Sequence, residues 1–237
     1  MAEGRLLGKR SLGRWHWACF FVLVVSAAVY GLSLAGAPIW EDDRLIGGRE
    51  RSVAECFTNP FLGSYFRPLV TLSFFLDRQV AGREPFLYHQ TNILLHVLTT
   101  AVLLDLLRHA FRSRRAALLG AFLFAVQPAQ VSAVAWIGGR TDSLCVLWVV
   151  CCAAALVRAA GAIGRARLLW NGASAAAFAL ALLTKEQAVA LLPLVPLAGW
   201  AFAPPDRPRP SARAALGATL PHLGVAVAFA LLWKAVG

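Results

Sequence analysis

The chain has 237 residues, of which 59% are hydrophobic and only 15% are charged, with a formal net charge of +11. A soluble domain carries roughly 25% charged residues, and uncharged stretches such as 18–37 and 188–205 are typical of membrane helices, whose backbone must satisfy its own hydrogen bonds in lipid. The basic residues form short clusters between apolar blocks, which argues against a nucleic-acid partner and is typical of topology determinants.

The ends and the cysteines narrow the class further. The apolar run that follows Arg14 reaches Gly36, which is too long for a signal peptide and predicts an uncleaved first helix. The chain stops as its last apolar run ends, so we expect a fragment of a longer protein. No CxxC or CxxH spacing occurs, so we expect neither a disulfide framework nor a zinc site from the five cysteines, Cys19, Cys56, Cys145, Cys151 and Cys152.

The apolar runs predict an all-α fold, a polytopic bundle of about seven membrane helices that occupies residues 1–237 as one module. The long first outer loop, about 38–84, contains the amphipathic stretch 67–80, which we predict to be a helix lying at the membrane interface. The seven predicted membrane helices cover about 17–37, 87–107, 116–136, 142–159, 168–184, 187–203 and 214–234.

Charge predicts the orientation. With a cytoplasmic N-terminus, the turns 108–115 and 158–167 and the loop 204–213 are cytoplasmic and rich in arginine, whereas the short outer loops carry only Arg140 and Lys185, as the positive-inside rule requires. The same orientation places most acids outside: Glu41, Asp42, Asp43, Glu50, Glu55, Asp77, Glu84, Asp142 and Glu186.

An acidic run directly follows the first helix. Asp42 and Asp43, next to Glu41, would repel one another at a membrane surface. They could bind a cation or remove a proton from a hydroxyl. A solvated helix end is the alternative.

Two short outer loops carry the paired charges. Arg140, after two glycines, could bind phosphate through its planar fork, or it could pair with Asp142 to close a turn. Lys185 and Glu186 interrupt two apolar runs, where charges are costly unless they are paired or used. An interfacial pair is the alternative there.

A polar stripe marks the outer end of the second helix. His89, Asn92 and His96 recur at helical spacing and share one face, which indicates a cavity or the bundle interior. Interhelical hydrogen bonding is the alternative. The predicted topology brings this stripe, the acidic run and both charged loops to one side of the membrane.

Four ordered strings carry a family resemblance: YFRPL at 65–69, YHQTN at 88–92, AVAWI at 133–137 and LTKE at 183–186. Over about residues 38–200 the chain resembles polytopic O-mannosyltransferases of the GT-C class, in particular those that carry tetratricopeptide repeats, and their bacterial relatives.

The resemblance implies an inverting glycosyltransferase. It would move a sugar, often mannose, from a polyprenyl-phosphate donor in the bilayer to a hydroxyl of a protein or glycan on the outer side. Asp42 or Asp43 would be the general base, and Arg140 and Lys185 would stabilise the charge on the departing phosphate. The site would be lined by Arg67, His89, Asn92, Asp142 and Glu186.

Relatives usually read His-Pro-x-His-x-Glu where this chain has Gln127, Gln130 and Ser132. The loss of these groups favours a changed substrate, or an inactive or truncated relative that binds without turnover. A transporter or lipid-handling protein is a further alternative, although no inverted repeat supports it. No cofactor is certain, but Asp42 and Asp43 could hold a divalent metal. The Ala/Arg-rich composition predicts a bacterial inner membrane, with the site facing the periplasm.

Overall fold

The structure, a computed structural model, describes residues 2–48, 52–206 and 209–236, and the side chains from residue 13 onward. Glu50 and part of the predicted cytoplasmic loop 204–213, residues 207 and 208, lie outside the described residues. Every named element in these ranges is helical. The α-helices are α1 Ala2–Ala28, α2 Asp42–Gly47, α3 Glu55–Thr58, α4 Pro68–Ala81, α5 Pro85–Phe111, α6 Arg114–Val126, α7 Val131–Val134, α8 Arg140–Gly161, α9 Gly164–Leu182, α10 Leu194–Ala201 and α11 Ala212–Val236.

Four described helices are long and apolar enough to cross a membrane: Gly13–Ala35, Pro85–Phe111, Arg140–Gly161 and Ala212–Val236. They match the first, second, fourth and seventh predicted helices. A fifth span is reached if α6 and the segment Pro128–Val134 form one bent helix.

The third and sixth predicted helices are interrupted. The third bends by 51° after Gln127, whose ψ of 123° is the extended conformation that a following proline imposes. The sixth is divided into a 3₁₀ turn, Glu186–Leu191, and the eight-residue α10, with Pro193 between them. Proline lacks the amide donor that a continuous helix needs. The prolines therefore divide both segments, and neither forms a single helix long enough to be one of the four candidate spans.

Helix α8 packs against both α5 and α9. Cys145 and Cys152 of α8 lie in one buried cluster with Ala177 and Ala181 of α9, and such small residues allow two helix backbones to approach closely. Helices α1 and α6 pack beside α5, and α11 packs on α9. The bundle thus presents the N-terminal end of α5 and the first turn of α8 side by side. We call this the outer end, because the charge pattern predicts that it faces outward.

The first outer loop is folded into three short helices, α2, α3 and α4. The amphipathic helix predicted at 67–80 is present as α4, and its buried face packs Val70 and Phe74 against Tyr88 of α5 and Ile137. The Arg78 side chain donates hydrogen bonds to the backbone oxygens of Leu45 and Gly48. The loop is therefore a folded cap on the outer end of the bundle.

The close packing of the turn before α8 predicts that adding one methyl group at Gly139 lowers the stability of the protein. A Cβ at Gly139 would lie 2.2 Å from the backbone oxygen of Ser132. We expect Gly139→Ala to lower the free energy of unfolding by about 1–3 kcal/mol, the cost of overpacking, measured by thermal unfolding of the purified protein. Gly172→Ala in α9 is the matched control, because a Cβ there meets nothing within 4 Å. Equal stability of the two variants would contradict the prediction.

Candidate active site

An open cleft of about 240 Å³ lies at the outer end of the bundle. Its charged lining consists of Glu41, Arg67, Asp142 and Lys185, and Trp136 and Phe61 contribute aromatic wall. These residues come from the first outer loop, the first turn of α8 and the α9–α10 connection. The structure thus joins three of the four polar segments that the sequence indicated.

Three ion pairs stabilise the cleft and its floor, and each joins different segments. Arg67 donates two hydrogen bonds to Glu186, from Nε at 3.2 Å and Nη2 at 2.8 Å. Lys185 pairs with Asp142. Arg140 Nη1 lies 2.6 Å from Asp77 Oδ2. The sequence suggested two local ion pairs, Arg140 with Asp142 and Lys185 with Glu186. The structure instead pairs these residues with partners that are distant in the sequence.

Arg140 is fully buried. Besides the pair with Asp77, its Nε donates to Asn92 Oδ1 at 2.9 Å and its Nη2 to the backbone oxygen of Tyr88 at 2.8 Å. Its guanidinium also lies 4.3 Å from the centroid of the Phe74 ring. The predicted contact with a donor phosphate is not available in this geometry, because every face of the guanidinium is covered. Arg140 instead positions the residues around it.

Asp42 is also fully buried. Its Oδ1 accepts a hydrogen bond from the Gly138 amide at 2.9 Å, and its Oδ2 accepts one from the Ile39 amide at 3.0 Å. Burial raises the pKa of the Asp42 carboxyl above its ordinary value, although these two amides oppose that shift. A carboxylate of raised pKa is a stronger base.

The other two acids of the run differ from Asp42. Asp43 is exposed and does not line the cleft, whereas Glu41 does. From the sequence alone, Glu41 was predicted only to be part of the acidic run. Its orientation follows from the start of α2 at Asp42, which the short loop sequence gave no means of locating.

The predicted polar face of α5 points into the protein. Asn92 donates to the backbone oxygens of Trp136 at 2.8 Å and Ile137 at 3.3 Å, and His96 contacts the Ala125 oxygen at 3.2 Å. His89 is 3% exposed, and neither of its ring nitrogens has a hydrogen-bond partner. Asn92 and His96 thus follow the interhelical alternative, and His89 lies beneath the cleft rather than in its lining.

Glu186 remains ionised in its pair. Burial alone would raise the pKa of Glu186, but the hydrogen bonds from Arg67 and the nearby Lys185 charge lower it below its ordinary value. Arg67 is further covered by the Tyr65 ring, 4.2 Å from its guanidinium. The Arg67–Glu186 pair therefore forms a fixed wall of the cleft.

The residues that replace the His-Pro-x-His-x-Glu motif, Gln127, Gln130 and Ser132, lie at the bend that follows α6. Gln127 and Ser132 are exposed, and Gln130 is half-buried. None of the three lines the cleft, and Gln130 lines a separate cavity of about 60 Å³ together with His96 and Asp142.

Within the described residues no group of three or more His, Cys, Asp or Glu could hold a metal. Both carboxylate oxygens of Asp42 accept hydrogen bonds from backbone amides. Asp42 and Asp43 therefore do not fit a shared divalent ion.

The buried ion pair predicts a large effect from an isosteric change. Asp77→Asn would leave the Arg140 charge buried without a counterion, and we expect a loss of about 3–5 kcal/mol in the free energy of unfolding. Asp43→Asn, which removes an exposed carboxylate, should change it by less than about 0.5 kcal/mol. Thermal unfolding in detergent compares the two, and similar melting temperatures would contradict the buried-pair assignment.

Comparison with curated proteins finds similar chains in animals. The protein O-mannosyl-transferase TMTC1 of Homo sapiens is 40% identical over 105 residues, covering 40% of this chain and 12% of the relative. The Drosophila melanogaster Tmtc1 protein is 34% identical over 110 residues, covering 42% and 13%. TMTC4 of Mus musculus is 27% identical over 211 residues, covering 75% and 28%.

The matched region therefore spans only about a tenth to a quarter of the length of these relatives. No solved structure gives a significant match. The family model described as dolichyl-phosphate-mannose-protein mannosyltransferase matches residues 68–235, which covers most of α4 through α11 and includes Arg140, Asp142 and Lys185. This match extends over well more than half of the chain, so the protein belongs to the dolichyl-phosphate-mannose-protein mannosyltransferase family.

Proposed function

We propose that this membrane protein is a glycosyltransferase that moves a mannosyl group from a polyprenyl-phosphate donor to a hydroxyl of a protein or glycan. The observation that carries the proposal is the outer cleft. It places carboxylates, an ammonium group and aromatic wall together at the end of apolar spans, where a lipid-linked sugar would present its headgroup. A positioned carboxylate can take the acceptor proton and a cation can stabilise the departing phosphate. The cleft lining holds carboxylates and the Lys185 ammonium group.

The proposed topology has seven membrane segments, with α9 and the interrupted segment 186–201 added to the five spans. The N-terminus is cytoplasmic, α4 lies at the membrane interface, and the cleft faces the non-cytoplasmic side. The arginine-rich turns at 108–115 and 158–167 support this orientation. The matching relatives come from animals, so they do not support the bacterial inner membrane that composition predicted.

In the proposed reaction the acceptor oxygen attacks the anomeric carbon of the sugar. The bond from that carbon to the phosphate oxygen breaks with inversion, and the acceptor proton passes to a carboxylate of the acidic run. The electron pair leaves with the polyprenyl phosphate, which gains one negative charge. Asp42 is the base that we propose, because it adjoins Glu41 of the cleft lining, its Oδ1 accepts a hydrogen bond from Gly138, which also lines the cleft, and burial raises its pKa. Glu41 is the rival that the geometry introduces, since it faces the cleft directly.

Lys185 is the proposed phosphate ligand. Its ammonium group lines the cleft, whereas the Arg140 guanidinium is covered. Asp142, its partner, is about half exposed and can release the ammonium to an incoming phosphate. A cation placed where negative charge develops lowers the barrier to departure.

Single variants separate the three acids. We expect Asp42→Asn to lower the transfer rate by about 10²–10⁴-fold, the usual contribution of a positioned base. Asp43→Asn is the matched control and should retain most of the activity. The measurement is transfer of radiolabelled mannose from polyprenyl phosphate to a mixed protein acceptor by purified protein in lipid. A loss confined to Glu41→Gln would move the base assignment to Glu41.

The pH profile gives a second readout of the same assignment. The base must be ionised, so transfer should fall as pH drops through the raised pKa of Asp42. Full activity in all three acid variants would overturn an acid-base role for the run. Donor binding without transfer in the unaltered protein would favour the alternative of an inactive relative, which the replacements at Gln127, Gln130 and Ser132 motivate.

The Lys185–Asp142 pair predicts opposite effects of its two partners. Lys185→Gln should weaken donor binding by about tenfold or more, as expected for the loss of a charge-assisted contact. Asp142→Asn removes the competitor for the ammonium group and should leave binding unchanged or tighter. Titration of polyprenyl-phosphate mannose measures both. Equal weakening by the two variants would show that the pair is structural only.

A further inference from the structure

A second cleft, at the opposite end of the bundle from the candidate active site, has no role in the proposed transfer. Its volume is about 680 Å³, and it lies about 30 Å along α5 from Tyr88, at 1.5 Å per helical residue. We call it the basic cleft. It is lined by Arg108, Arg112, Arg114 and Arg158, with the aromatic residues Trp170 and Phe202.

The charge of the basic cleft is largely uncompensated. Asp105 pairs with Arg158 and lies 3.6 Å from Arg108. Among the described residues no carboxylate lies within ion-pair distance of Arg112 or Arg114. The basic cleft therefore holds four guanidinium groups against one carboxylate, which suits a ligand with more than one negative charge.

Topology alone does not explain this arrangement. The positive-inside rule accounts for arginines in the turns, but it does not account for which of them line one cavity. Arg115, Arg165 and Arg167 lie in the same turns and are not part of the lining of the basic cleft. The four that line the basic cleft come from the end of α5, the α5–α6 turn, the start of α6 and the end of α8. Four arginines from these separate positions meet at one cavity.

The backbone adds a second observation. Arg112 follows the last residue of α5 in the left-handed conformation, with φ of 53°, where glycine is the usual residue. A non-glycine residue costs about 1 kcal/mol or more there. Strain of this kind persists where surrounding structure or function requires it, and here it directs an arginine into the cleft.

We propose that the basic cleft binds the phosphomonoester headgroup of an anionic membrane lipid. Guanidinium forks match the oxygens of a phosphate dianion. Trp170 and Phe202 supply apolar wall for the adjoining acyl region, and basic pockets between membrane helices are known sites for such headgroups. The same phosphate chemistry could come from a free phosphate ester, but the apolar walls at the ends of the spans favour the lipid.

Binding of dioleoyl phosphatidic acid to the full chain in detergent, followed by native mass spectrometry, tests the proposal. We expect saturable binding of one lipid, and much weaker binding of dioleoyl phosphatidylcholine, which has no net charge. Arg114→Gln should weaken phosphatidic acid binding by about tenfold. Arg115→Gln is the matched control: it removes the same charge one residue away, outside the basic cleft, and should change affinity by less than about twofold.

A second variant guards against an effect on folding. Arg112→Gly removes a guanidinium while supplying the residue that the left-handed conformation favours, so it should weaken binding without lowering the melting temperature. Equal losses in Arg114→Gln and Arg115→Gln, or unchanged binding in both cleft variants, would overturn the proposal. Displacement of phosphatidic acid by equimolar inorganic phosphate would overturn the lipid as the source of the phosphate.

Discussion

The guanidinium of Arg140, on α8, is surrounded by groups from α4 and α5, and the outer end of the protein is organised around it. Removing an arginine from water costs several kcal/mol even after relaxation, and the protein offsets that cost with Asp77 of α4, with Asn92 and the Tyr88 oxygen of α5, and with the Phe74 ring. Each partner is useful only if α4, α5 and α8 keep their relative positions. The buried charge therefore makes the docking of the outer loop specific.

A series of contacts connects Arg140 to Asp42, the candidate base. Asn92 binds Arg140 and also donates to the carbonyls of Trp136 and Ile137. The next amide, from Gly138, donates to Asp42. The Arg140–Asp77 ion pair and these hydrogen bonds thus connect α4, through α5 and the glycine turn, to the acidic run. A preorganised carboxylate needs such support, because small displacements of a reacting group are costly in rate.

The sequence predicted the parts of this arrangement that depend on local pattern. Apolar runs predicted the positions of the four membrane-length helices, amphipathicity predicted α4, and helical spacing predicted that His89, Asn92 and His96 share a buried face. The pairing of charges could not be predicted in the same way. Arg67 and Glu186 are 119 residues apart, and Lys185 and Asp142 are 43 apart, so their contacts depend on how whole helices pack. Oppositely charged residues that are close in the sequence suggested local ion pairs, but helix packing brings each charge to a partner that is distant in the sequence.

The two ends of the bundle differ in how their cations and carboxylates are balanced. At the outer end the two cations of the cleft lining, Arg67 and Lys185, each pair with one carboxylate, so the lining has little net charge, and the Lys185–Asp142 pair can exchange its carboxylate for a ligand. At the other end the arginines outnumber their single carboxylate, so a bound anion would add to the structure rather than displace a partner. A site that must release its product benefits from the first arrangement. A site that holds a resident lipid benefits from the second.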